Sequence, residues 1–107
     1  MFVPETLIPG KTIDDVRADF RAAERVEQYR LGQAAVYIPA GLRWNYIPRA
    51  EILQATSSHR TVSAGHCVTV QVKTPSLELV TSAGPFDLNL EKQASLDKFL
   101  AALGENP

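Results

Sequence analysis

The sequence predicts an α+β fold that is mainly β: one helix, seven short antiparallel strands and a closing helix. Three observations carry this. Apolar residues recur at helical spacing near both ends of the chain. Between about residues 26 and 90 their period falls to two, and turn signals interrupt that region every few residues. Nearly every connection between the strands is too short for a parallel crossover, which needs a dozen residues or so, and the pairing is therefore antiparallel.

Residues 1–11 read as an extended arm punctuated by Pro4, Pro9 and Gly10. A helix over 12–25 follows. Thr12 suits an N-cap, Asp14 and Asp15 place carboxylates near the positive end of the helix dipole, and Ile13, Val16, Phe20 and Ala23 make one apolar stripe. The strands then run over 26–31, 34–39, 42–47, 51–59, 67–74, 77–81 and 85–90, with turns at Gly32-Gln33, Ala40-Gly41, Pro75-Ser76 and Ala83-Gly84. Val68, Val70 and Val72 alternate with Thr69, Gln71 and Lys73, and Phe86, Leu88 and Leu90 share a face. The one longer break, about 60–66, separates a first sheet of four strands from a second of three. Over 91–103, Leu96, Phe99, Leu100 and Leu103 form the stripe of a helix docked on a sheet, with Gly104 at its C′ position.

A chain of 107 residues makes one domain, 1–107, and buries roughly 65% of its unfolded surface. A net charge of −1 gives no general attraction to nucleic acid or to anionic membranes. The single cysteine, Cys67, excludes an internal disulfide, and the opening residues lack the basic flank and apolar run of a signal peptide. These readings predict a soluble cytoplasmic protein.

The segment YIPRAEI, residues 46 to 52, resembles a pattern of bacterial pleckstrin-homology (PH)-like domains: aromatic-Ile-Pro, two or three residues, then Ile. Together with the order of four strands, three strands and a helix, the resemblance covers about residues 26–103. It implies an antiparallel seven-stranded, partly open barrel capped by the C-terminal helix, with the N-terminal helix as an addition. PH domains that bind phosphoinositides carry a basic cluster in their first hairpin loop. The corresponding loop here is Gly32-Gln33 with only Arg30 nearby, so strong phosphoinositide binding is not expected.

No residue pattern predicts catalysis, a cofactor or a metal. His59, His66 and Cys67 supply no recognisable ligand spacing, and neighbours 66 and 67 on a strand point to opposite faces. Asp14 and Asp15 read as helix-start charges, Asp19 and Glu24 as the helix's solvated side, and Glu51 as an exposed strand residue beside Arg49. Arg17, Arg21 and Arg25 stand four apart on the helix, a stripe either solvated or facing an acidic partner. Arg43, Trp44, Tyr46 and Arg49 combine arginine with aromatic side chains, the composition enriched at protein-protein hot spots. They are the expected partner patch, unless Trp44 and Tyr46 pack under the N-terminal helix.

The function expected is a non-catalytic binding or scaffolding module that holds a protein partner or a second copy of itself. The alternative is a small-ligand or enzymatic domain of cystatin-like or nuclear-transport-factor-like type, in which a helix precedes a curved sheet around a pocket near Glu51, His59 or Cys67.

Overall fold

The computed structural model describes residues 3–64 and 70–103, with the side chains of 58–73 outside the description. Within it the chain is α+β and mainly β. Its elements run β1 (Glu5–Thr6), α1 (Val16–Ala22), β2 (Glu24–Val26), β3 (Tyr29–Leu31), β4 (Ala35–Ala40), β5 (Arg43–Pro48), a 3-10 turn (Arg49–Glu51), β6 (Ile52–Ala64), β7 (Val70–Thr81), β8 (Gly84–Asn89) and α2 (Gln93–Leu103). Among the described residues there are two sheets, ordered β1-β5-β4-β3-β2 and β6-β7-β8. The chain divides into two compact units, Met1–Leu53 with Thr81–Gly84, and Gln54–Val80 with Pro85–Pro107.

In the first unit, register determines which side chains share a face. Arg25 opposes Arg30, Arg30 opposes Tyr37, Tyr37 opposes Tyr46, and Tyr46 opposes Thr6 in one row across the sheet. Pro39 opposes Trp44 two residues further along and lies on the same face. Leu31, Val36 and Ile47 make a row on the other face and are all buried. Trp44 and Tyr46 therefore lie on the face opposite Ile47. Ile52, the last residue of the YIPRAEI segment, is half-buried.

Helix α1 has seven residues, too few for stability in isolation. Its stability comes from docking. Ile13, Val16, Phe20 and Ala23 pack on Ala35, Tyr37 and Tyr46, and Phe20 meets the Tyr37 ring edge-on at 5.0 Å between centroids. Asp19 fastens the contact. Its Oδ2 accepts the Tyr37 hydroxyl at 2.6 Å, while Oδ1 accepts the backbone N–H groups of Gln33 and Ala34, each at 3.0 Å. The turn that it grips is closed by the Gly32 N–H donating to the Ala35 carbonyl. Arg49 holds the same turn through its backbone N–H to Ala34 O (2.9 Å) and Nη1 to Gly32 O (3.1 Å). Gly32 is required by close approach, because a Cβ there would fall on the Asp19 carboxylate and 3.0 Å from the Tyr37 ring.

In the second unit, Leu77 and Leu79 of β7 alternate with partly exposed Glu78 and Val80. Leu88, Leu90, Leu96 and Phe99 are also almost wholly buried. The expected stripe of α2 is thus graded, with Leu96 and Phe99 buried and Leu100 and Leu103 half-buried. Phe86, expected on the face of Leu88 and Leu90, is half-buried too.

Several expectations need correction. The N-terminal helix spans 16–22, not 12–25, and is capped by Asp15 in the left-handed region (φ 47°) instead of by Thr12. The arm supplies a parallel strand, β1, beside β5, and Thr6 Oγ1 donates to Lys11 O and accepts the Ile8 N–H. The strand expected over 26–31 is part of a hairpin, reversed at Glu27-Gln28, where Glu27 takes φ 56°. Pro75-Ser76 is no turn: both are buried within β7, and Pro75 accepts the Leu90 N–H. The passage between sheets lies at Arg49–Glu51, directly after Pro48, whereas residues 60–64 belong to β6. The sheets accordingly hold five and three strands, not four and three. The start of the expected strand at 67 and the expected cap at Gly104 lie outside the described residues, as do the side chains of the valine alternation.

Replacing Asp19 by Ala should destabilise the protein by about 2–3 kcal/mol, since hydrogen bonds to charged groups contribute about 1.5–3 kcal/mol and are not additive. Gly32→Ala should destabilise by steric displacement of the same carboxylate, and urea unfolding measures both. A second expectation concerns alkaline pH. Burial, then the hydrogen bond and charge of Asp19, push the Tyr37 hydroxyl far above its usual range. The unfolded chain ionises this group near pH ~10 while the folded chain keeps the proton. Its contribution is full below that pH and declines as pH rises further. Unfolding midpoints measured against pH should lose part of this decline in Tyr37→Phe.

Candidate binding face

The half of the first sheet's helix-side face that α1 leaves open is the strongest candidate. Arg25 from β2, Gln28 from the β2–β3 turn, Arg30 from β3, Pro39 from β4 and Trp44 from β5 line an open groove of about 300 Å³. Four adjacent strands position these residues, and the sheet register explains their convergence. Arg25 and Arg30 are directly opposed, as are Pro39 and Trp44. Side chains opposed in this way have Cβ atoms about 4.5–5.5 Å apart.

Arg30 is held by aromatic rings. Its guanidinium carbon lies 4.6 Å from the Phe20 ring centre and 5.5 Å from that of Trp44, and the two rings meet edge-on at 5.2 Å. A cation over an aromatic face gains about 0.5–2 kcal/mol, more where water is excluded. Trp44 is half-buried, with one side against Phe20 and the rest bordering the groove. Arg25 is exposed, and its Nε donates to the Glu27 carbonyl at 3.2 Å. The chemical character is thus a flat apolar wall beside two cations.

The four residues of the expected partner patch do not form one surface. Tyr46 is buried at 3% exposure, 6.0 Å from the Tyr37 ring, beneath the docked helix. The stripe Ile13, Val16 and Phe20 needs an apolar floor, and Tyr46 is part of it. Arg49 is half-buried and holds the Gly32 turn. Arg43 is exposed and makes a 3.9 Å ion pair with equally exposed Glu5, of the kind that contributes little. Only Trp44 and Arg43 are open to a partner. Beside them Leu42, at the β4–β5 hairpin tip, is 98% exposed.

Sequence reasoning missed Arg30 and Arg25 as partners of Trp44, because strand pairing brings them together across 14 and 19 positions of sequence. A helix over 12–25 would also have put Arg25 on a stripe with Arg17 and Arg21. Since α1 ends at Ala22, Arg25 stands on β2 instead. Asp19, read as a solvated helix residue, is the fastening of α1. Glu51 accepts a hydrogen bond from Ser82 Oγ at 2.9 Å. The His59 side chain, His66 and Cys67 lie outside the described residues. Among the described residues, no three His, Cys, Asp or Glu side chains cluster as metal ligands, and no helix is long and apolar enough to cross a membrane.

Trp44 is the only tryptophan, so its emission reads the groove directly. Acrylamide should quench it at a rate between those of buried and free indole. Arg30→Ala should increase quenching by uncovering the ring, and an unchanged rate would contradict the ring contact. Comparison with known protein families, curated proteins and solved structures finds no match to this chain.

Proposed function

We propose that the chain is a non-catalytic binding module of PH-like type, with a protein segment held on the part of the five-stranded sheet that α1 leaves open. The observation that carries this reading is the groove itself. Trp44 borders it, with Arg30 fixed against its ring and Arg25 opposite. Exposed aromatic and arginine side chains are the types most enriched among residues that dominate binding energy, and a cation held in place by rings loses little freedom on binding. Exposed Leu42 stands at the tip of the same hairpin, while Arg43, next to Trp44 in β5, points to the opposite face. The PH-like part of the reading draws on the YIPRAEI segment, the three-stranded second sheet and the C-terminal helix that follows it. The parallel β1 and helix α1 are additions to that plan.

Partners captured by the protein from its native source provide the test, with size-exclusion mass as the readout for a second copy. Trp44→Ala should weaken binding by about 30-fold, the effect of a residue worth about 2 kcal/mol. The variant should stay folded by circular dichroism, because Trp44 is only half-buried. A partner held equally by wild type and Trp44→Ala would contradict the proposal.

A further inference from the structure

Resting on that reading of the open face, we propose that the groove takes an acidic peptide segment, with a carboxylate between Arg25 and Arg30 and a neighbouring apolar side chain against Trp44 and Pro39. The first argument is the charge arrangement. Arg25 and Arg30 are directly opposed across β2 and β3, and like charges in that position destabilise a sheet. The groove lining contains no carboxylate to offset them. Acidic residues are not scarce in the chain, which has 12 against 11 basic, yet none is among the residues that line this groove. An incoming carboxylate would relieve the repulsion.

The second argument is geometry. The Arg30 guanidinium is oriented by Phe20 and Trp44, and its planar fork matches the two oxygens of a carboxylate. Phosphate sites, by contrast, commonly use backbone N–H groups at a glycine-rich turn or a helix N-terminus. The groove lining comes from strands and the Glu27-Gln28 turn and includes no glycine. The third argument is size. About 300 Å³ is the lower limit for sites that enclose a drug-sized ligand. An open groove of that volume suits a few side chains of a longer segment. It also reaches β2, the last strand of the sheet, where an extended peptide can run alongside.

Fluorescence of Trp44 tests the proposal with three probes: the blocked peptide Glu-Leu-Glu-Leu-Glu, its Gln-for-Glu counterpart, and inorganic phosphate. The acidic peptide should give a saturable change that weakens with added salt, while the Gln peptide gives none. Arg25→Gln and Arg30→Gln should each weaken the acidic peptide tenfold or more. Exposed Arg25 gives the cleaner variant, and thermal melts would show that each stays folded. Equal binding of the Gln peptide would overturn the charge assignment and leave the open-face reading standing. Saturation by phosphate, with no response to the acidic peptide, would overturn the peptide in favour of a small oxyanion. Silence from all three probes while Trp44→Ala still loses its partner would sink this inference alone; silence together with an unaffected partner would sink both.

Discussion

The carboxylate of Asp19 is the constraint on which the first unit depends. A seven-residue helix has little stability of its own, and its apolar stripe alone could slide along a sheet of aromatic side chains. Asp19 removes that freedom by accepting three hydrogen bonds from two different parts of the sheet, the Gln33-Ala34 turn and the Tyr37 hydroxyl. Gly32 clears the space for this carboxylate, and Arg49 holds the turn from the other side. The 3-10 turn that begins at Arg49 is also where the chain leaves the first sheet for the second. One short run of residues therefore serves both the helix dock and the change of sheet.

Where the helix is fixed decides what is left open. Val16 and Phe20 cover Tyr37 and Tyr46, and α1 itself ends at Ala22, before it reaches the face beyond Phe20. Phe20 is the boundary residue. It meets Tyr37 on the buried side and Trp44 and Arg30 on the open side. The same ring thus closes the core and fixes the cation of the groove. A change at Phe20 would be felt in both, which makes stability and binding inseparable at that position.

Much of the architecture was legible in the sequence, and the misreadings have physical causes. The two helices, the alternating middle and the antiparallel hairpins followed from apolar period and turn residues. Strand alternation likewise puts Trp44 and Tyr46 on the face opposite Ile47, and the chain leaves the first sheet directly after Pro48. The Glu27-Gln28 reversal was missed because Glu is an uncommon occupant of a left-handed position that Gly, Asn or Asp normally fills. Pro75 looked like a break but sits inside a long strand, a position that proline rarely takes. Asp19 was unreadable because its partners, two backbone N–H groups 14 and 15 residues away and the Tyr37 hydroxyl 18 residues away, are brought to it only by the fold. Tyr46 was left open between the partner patch and a place under the N-terminal helix, and it lies under the helix, because a helix stripe and an aromatic strand face satisfy each other first. Arg25 and Arg30 emerged only once strand register put them side by side.

The claim that α1 covers Tyr46 and stops short of closing over Trp44 is open to one direct measurement, the proton-proton contacts of the aromatic rings by nuclear magnetic resonance. Contacts should run from the Phe20 ring to both the Tyr37 and Trp44 rings, at the 5.0 and 5.2 Å ring separations, and from Val16 into the cluster of Tyr37 and Tyr46. An absence of contacts between α1 and these rings, with Tyr46 as exposed as Trp44, would contradict the account.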